Sequence, residues 1–165
     1  MKCLITMLAT ASAMALSATS ANAATASATV SMEILEQVSI VQVADLNFGT
    51  IVPDTVSDVD VHIEPDATNT RDCGILTCAD AASVTAGQFD VTGAAGLVVD
   101  LTGSPTATLT DGNGNSMPIV LEKSDRDLTM TGSPLPLYVG GAITVAANQT
   151  PGVYSASFDV TAEYQ

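Results

Sequence analysis

Val153-Tyr154-Ser155-Ala156-Ser157-Phe158-Asp159-Val160-Thr161-Ala162-Glu163-Tyr164 decides the fold. Tyr154, Ala156, Phe158, Val160, Ala162 and Tyr164 form one apolar set, and Ser155, Ser157, Asp159, Thr161 and Glu163 form the polar set between them. Successive side chains of an extended chain point to opposite faces, so this alternation predicts a long strand with one face in a core. Gln149-Thr150-Pro151-Gly152 supplies the turn that starts it, with Pro and Gly adjacent. Two of the chain's three tyrosines lie on its apolar face, which places it centrally in the core.

Working outward, the same signature recurs. Beyond residue 23 the chain holds 17 Val, 7 Ile and 18 Thr. These β-branched residues are stiff at χ1 and suit a pleated surface better than a helix. No stretch sustains an apolar period of 3.6 residues. Strands are predicted at Ala24–Ile34, Val38–Val43, Val59–Ile63, Gln88–Val91, Gly96–Leu101, Thr106–Thr110, Met117–Leu121, Leu135–Val139 and Ala142–Val145. Turns are read at Phe48-Gly49, Thr92-Gly93, Gly112-Asn113-Gly114, Thr131-Gly132-Ser133-Pro134 and Gly140-Gly141, and a long loop at Pro65–Ala82. Short strands separated by frequent turns predict a single all-β sandwich over residues 24–165.

Residues 1–23 read as a secretory signal peptide: Lys2, an apolar run from Leu4 to Leu16, and the small-x-small site Ala21-Asn22-Ala23. The run is too short and alanine-rich for a span of about 20 strongly apolar residues, so no membrane span is expected in the mature protein. The expected location is the periplasm, cell surface or exterior, where Cys73 and Cys78 can form a disulfide around a short loop. The formal charge of -14 becomes -15 once Lys2 leaves. With three cations left to neutralise phosphates, the charge argues against nucleic acid and anionic membrane as partners. One histidine leaves little material for imidazole-based acid/base chemistry.

Several motifs together resemble one family. They are Asp45-Leu46-Asn47-Phe48-Gly49-Thr50-Ile51, Gly87-Gln88-Phe89-Asp90-Val91-Thr92-Gly93, Met117-Pro118-Ile119, Leu137-Tyr138-Val139-Gly140-Gly141, and Gly152-Val153-Tyr154 through Tyr164. The family is a secreted immunoglobulin-like domain of unknown function from Gram-negative bacteria, similar to spore coat protein U and to archaic chaperone–usher pilin subunits. The resemblance implies an immunoglobulin-like β-sandwich, which in pilin subunits is incomplete and lacks its final strand. It implies an exported, non-enzymatic structural or adhesive subunit with neither catalytic residues nor cofactor. Self-association is implied, with a periplasmic chaperone and an outer-membrane usher as partners during export. The Cys73–Cys78 loop is not part of the pattern.

Polymerisation by strand addition needs an alternating segment after the cleavage site. Ala26, Ala28, Val30, Met32 and Ile34 meet that demand. The same alternation also describes the first strand of a complete domain, and the sequence leaves both readings open. The alternative function is a self-sufficient secreted module that binds carbohydrate or calcium.

Other candidates are read against plainer roles. Asp111, Asn113, Asn115 and Glu122 partly match a calcium loop, yet Ser116 occupies the place of its glycine, and Asn-Gly residues also build a tight hairpin. His62 shares a strand face with Asp60 and Glu64, as a metal site or as a solvated surface. Asp54, Asp58, Asp60, Glu64, Asp66 and Asp72 could offer paired carboxylates for glycoside hydrolysis, or an acidic edge that resists unwanted sheet pairing. Ser155 and Ser157 have no recognisable histidine partner for a triad.

Overall fold

The computed structural model describes residues 24–165. Ile34–Gln165 forms a compact unit that contains every strand among the described residues. In chain order these are β1 (Ser39–Ala44), β2 (Thr50–Val52), β3 (Val59–Ile63), β4 (Arg71–Asp72), β5 (Thr77–Ala79) and β6 (Gly87–Thr92). There follow β7 (Val98–Gly103), β8 (Thr106–Thr110), β9 (Ser116–Lys123), β10 (Asp127–Thr129), β11 (Leu135–Val145) and β12 (Val160–Tyr164). One 3-10 turn, Ala81–Ser83, is the only helical element among the described residues.

All strand pairs are antiparallel, as expected for short strands joined by turns. The large sheet is built on β11. Its first half pairs with β6 and its second half with β3, while β9 runs along its other edge. β1 extends β6, β4 extends β3 and β8 extends β9. Two smaller sheets, β10-β7-β12 and β2-β5, complete the molecule. This is an all-β sandwich.

Two apolar clusters mark how the layers meet. Val91 and Leu137 of the large sheet pack with Val99, Leu101 and Met130 of the β10-β7-β12 side. Val61, Ile63, Met117, Ile119, Ile143 and Val145 pack with Phe48, Leu76 and Val84. Alternation sets these faces: Leu137, Val139, Ile143 and Val145 of β11 are all buried.

Four expectations change. Gly140-Gly141 is no turn but the middle of the 11-residue β11. A Cβ at Gly140 would overlap Ile63 O, and one at Gly141 would overlap Val120 O, so the glycines mark close backbone approach between three strands. Pro65–Ala82 is not one loop, because β4 and β5 lie in it and the Cys73–Cys78 bridge, with Cα atoms 6.4 Å apart, joins the ends of the turn between them. Ala24–Ile34 forms no strand, and Val153–Asp159 stays outside the regular ladder that β12 makes with β7. The signal-peptide reading of residues 1–23 lies outside the described residues.

Candidate open-groove site

β8, β9 and the second half of β11 carry Leu109, Met117, Ile119 and Ile143 on their inner face. The opposite layer there consists of two rails, residues 45–53 and residues 149–158, with open space between. The wider end, 480 Å³, lies under Gln149–Tyr154 and is lined by Phe48, Ile51, Leu109, Met117, Ile143 and Val145. A contiguous hollow of 350 Å³ follows along Val153–Phe158, over Ala107, Ile119 and Leu121. Its floor combines the buried Met117, Ile119, Ile143 and Val145 with the half-buried Ala107, Leu109 and Leu121.

Each rail is held from its outer side. Asn47 pairs with Thr85 through two main-chain hydrogen bonds of 2.8 and 3.1 Å. Asn47 Oδ1 also accepts from the Gly49 N–H at 2.8 Å, which shapes the turn. Arg71 donates to the Phe48 and Ala79 carbonyls and so ties this rail to β5. Gly49, at φ 69°, is required both by its left-handed backbone and by the guanidinium beside it. Sequence reasoning missed Arg71; its one signal was being a lone cation within an acidic stretch.

The second rail is pinned at Ser155, whose N–H and carbonyl pair with Thr110 at 3.0 and 2.9 Å. Asp159 O accepts from Ser104 N at 3.2 Å. The main-chain groups of Tyr154, Ala156 and Phe158 have no main-chain partner among the described residues. In an antiparallel pair, alternate residues bond to opposite sides, so these positions present donors and acceptors on the edge away from β8. Tyr154 donates its hydroxyl hydrogen to Thr150 O at 2.8 Å and accepts from Gln149 Nε2 at 2.9 Å, which fixes the turn at the wide end. Phe158 meets Phe89 edge to face at 6.1 Å. Farther along β12, Val160 and Ala162 pack in the second core cluster beside Tyr164. Tyr164 donates to Glu36 O at 2.7 Å and accepts from Ala94 N at 2.6 Å.

The segment read as a strand donor is Ala26, Ala28, Val30, Met32 and Ile34. Its larger members stand in solvent, at 94% exposure for Val30, 82% for Met32 and 83% for Ile34.

The remaining candidates are spent locally. Asp111 Oδ1 accepts from the Asn113 and Asn115 N–H groups at 2.8 and 3.1 Å, and its Oδ2 accepts from Asn115 Nδ2 at 2.7 Å. The Asn115 side chain first, and then the Asn113 N–H, hold this exposed carboxyl below its ordinary range. Glu122 does not join them. It lies six residues along β9 from Ser116, roughly 20 Å away in an extended strand. The structure builds the hairpin turn and does not assemble the calcium set.

The acidic stretch is likewise divided, partly among turns and partly among distant segments. Asp54 accepts from Ser57 N at 2.9 Å and Val56 N at 3.1 Å, and these bonds lower its pKa. Asp66 accepts from the Thr68 hydroxyl at 2.6 Å and its N–H at 2.8 Å, with the same effect. Asp58 holds Ala147 N, Asp60 holds the Thr144 hydroxyl, and Asp72 holds Gly74 N. His62 lies between Glu64 and Glu122, one on each ring nitrogen. Among the described residues no group of three or more His, Cys, Asp or Glu is arranged to hold a metal ion. Ser155 and Ser157 are exposed, and the carboxylate neighbours of His62 leave neither serine paired with it.

A two-layer antiparallel sandwich defines the class of domain. The chain belongs to a family described as a domain of unknown function (DUF4402), whose model matches residues 38–164. The match begins one residue before β1, so the exposed alternating segment lies outside it. No curated protein and no solved structure matches the chain.

Proposed function

We propose that this is an exported, non-enzymatic structural or adhesive subunit of the cell surface that assembles by strand donation. Residues 24–34 of one copy would lie in the groove of the next, against the free edge of residues 153–158. The observation that carries this reading is that edge: among the described residues the main-chain groups of Tyr154, Ala156 and Phe158 have no main-chain partner, and they flank a hollow over Ala107, Ile119 and Leu121. A strand added there gains main-chain hydrogen bonds and buries alternate side chains. Burying Val30, Met32 and Ile34 would contribute about 1.5–3 kcal/mol each. The 11-residue donor segment reaches roughly 36 Å when extended, enough to run along the whole rail. A chaperone and an usher would serve to cover the groove during export. No helix among the described residues is long and apolar enough to cross a membrane.

The test is deletion of residues 24–34. The full-length exported protein should form head-to-tail multimers by size-exclusion chromatography and electron microscopy, and the truncated protein should run as a monomer. Equal assembly of both would remove strand donation and leave the self-sufficient binding module.

A further inference from the structure

We propose that Lys123 and Arg126 form the head of a second binding site, a hollow that takes a small aliphatic carboxylate. Residues 24–165 contain 18 acidic side chains and three cations, Arg71, Lys123 and Arg126. The salt bridges among the described residues all involve His62, so Lys123 and Arg126 stand without a carboxylate partner. Arg71 is turned to the Phe48 and Ala79 carbonyls. The other two border one hollow of about 370 Å³, enclosed by the ends of β7 and β9 and the start of β12.

Lys123 faces the interior. Along β9, Met117, Ile119, Leu121 and Lys123 form the covered set, and the residues between them are exposed. Lys123 stands opposite Val139 of β11, which is buried. A core-facing ammonium gives up hydration and needs partners in return. Its Nζ donates to Leu101 O at 2.5 Å. An ammonium carries three donors, so two remain for an incoming acceptor. The Arg126 carbonyl accepts from Leu101 N at 2.7 Å, which sets this residue on the same wall. Its side chain is exposed, and a guanidinium there can grip both oxygens of a carboxylate at the mouth.

The rest of the lining selects the body of the ligand. Leu121, Val139 and Phe158 offer apolar contact behind the cations. The β7 wall has its main-chain groups engaged: Leu101 with Lys123 and Arg126, Thr102 and Gly103 with β12, and Ser104 N with Asp159 O. A wall so engaged offers no ladder to an added strand, so the occupant is a small molecule. Asp100 and Asp159 also border the hollow and disfavour a second negative charge on the ligand. One carboxylate on an apolar body satisfies all of these demands. The hollow shares Leu121 and Phe158 with the groove but not its two cations, so the inference stands apart from strand donation.

Titration of the full-length chain with octanoate, followed by calorimetry and amide spectra, tests it. Octanoate should bind saturably and shift the amides of Leu101, Lys123 and Arg126. Acetate, which lacks the apolar body, and octanol, which lacks the charge, should each bind at least about tenfold more weakly. Lys123→Met keeps the stem and removes the charge, and Arg126→Gln alters an exposed position; each should weaken octanoate about tenfold, the loss of one charge-assisted hydrogen bond. Should Lys123→Met fail to fold, Arg126→Gln and the two reference ligands still decide. Octanoate that does not saturate, acetate or octanol that binds as tightly, or an unchanged octanoate affinity in Arg126→Gln overturns the proposal.

Discussion

At the residue scale, the chain uses its polar side chains mostly on its own turns. Asp54, Asp66, Asp72 and Asp111 each accept from N–H groups two to four residues ahead, the habit that makes aspartate a turn residue. The acids clustered in sequence are divided among separate partners: Asp54, Asp66 and Asp72 serve turns, while Asp58 and Asp60 hold Ala147 and Thr144 on distant segments. The glycines divide in the same way. Gly112 and Gly114 sit at φ 76° and 101° in the β8–β9 turn, as their setting in sequence implied. Gly140 and Gly141 do not, because a glycine required for close approach looks like a turn glycine until its neighbours are known. Gly141→Ala should cost about 3 kcal/mol or more, since the added Cβ overlaps the Val120 carbonyl on a neighbouring strand that cannot recede. Urea unfolding of this variant against wild type checks the figure, and Gly112→Ala, in open space but at positive φ, should cost only about 1 kcal/mol.

At the scale of elements, alternation located the strands and missed their limits. β3, β6, β8 and β9 were legible from alternation and β-branched content. β4 and β5 were not, because strands of two and three residues hold too few positions to display a period. The final strand was read as continuous from Val153, yet the ladder begins at Val160. Alternation reports which face is buried but not whether a partner strand is present. The Cys73–Cys78 bridge closes a small loop beside β5, whose partner β2 continues the first rail. Opening so short a loop removes about 2 kcal/mol in the chain-entropy view. Reduction should therefore lower Tm by several degrees without unfolding the β10-β7-β12 side. Hydrogen exchange should show lost protection confined to β2, β5 and residues 45–53. Loss of protection throughout would mean that the bridge supports the whole sandwich.

At the scale of the whole molecule, the strand donation proposed above makes a direct demand: the groove between residues 45–53 and 149–158 should accept the exposed alternating segment. A synthetic peptide of residues 24–34 added to the full-length protein should raise Tm by several degrees, as any ligand selective for the folded state does; about 2.7 kcal/mol is expected at one hundred times Kd. The same peptide with aspartate at the positions of Val30, Met32 and Ile34 should leave Tm unchanged, and circular dichroism melts distinguish the two. The sequence by itself determined the all-β class, the buried faces of β3, β9 and β11, and the hairpin at Asp111–Asn115, whereas β12 lies at the edge of its sheet with Ala156 before it exposed. Those properties follow from period, turn chemistry and composition, which act within a few residues. Only the tertiary structure decided that Gly140 and Gly141 lie inside a strand, that Arg71 holds a groove wall, that His62 meets Glu122, and that Tyr154, Ala156 and Phe158 keep a free edge. Each depends on which distant segment comes alongside, and local patterning carries no record of a neighbour that is absent.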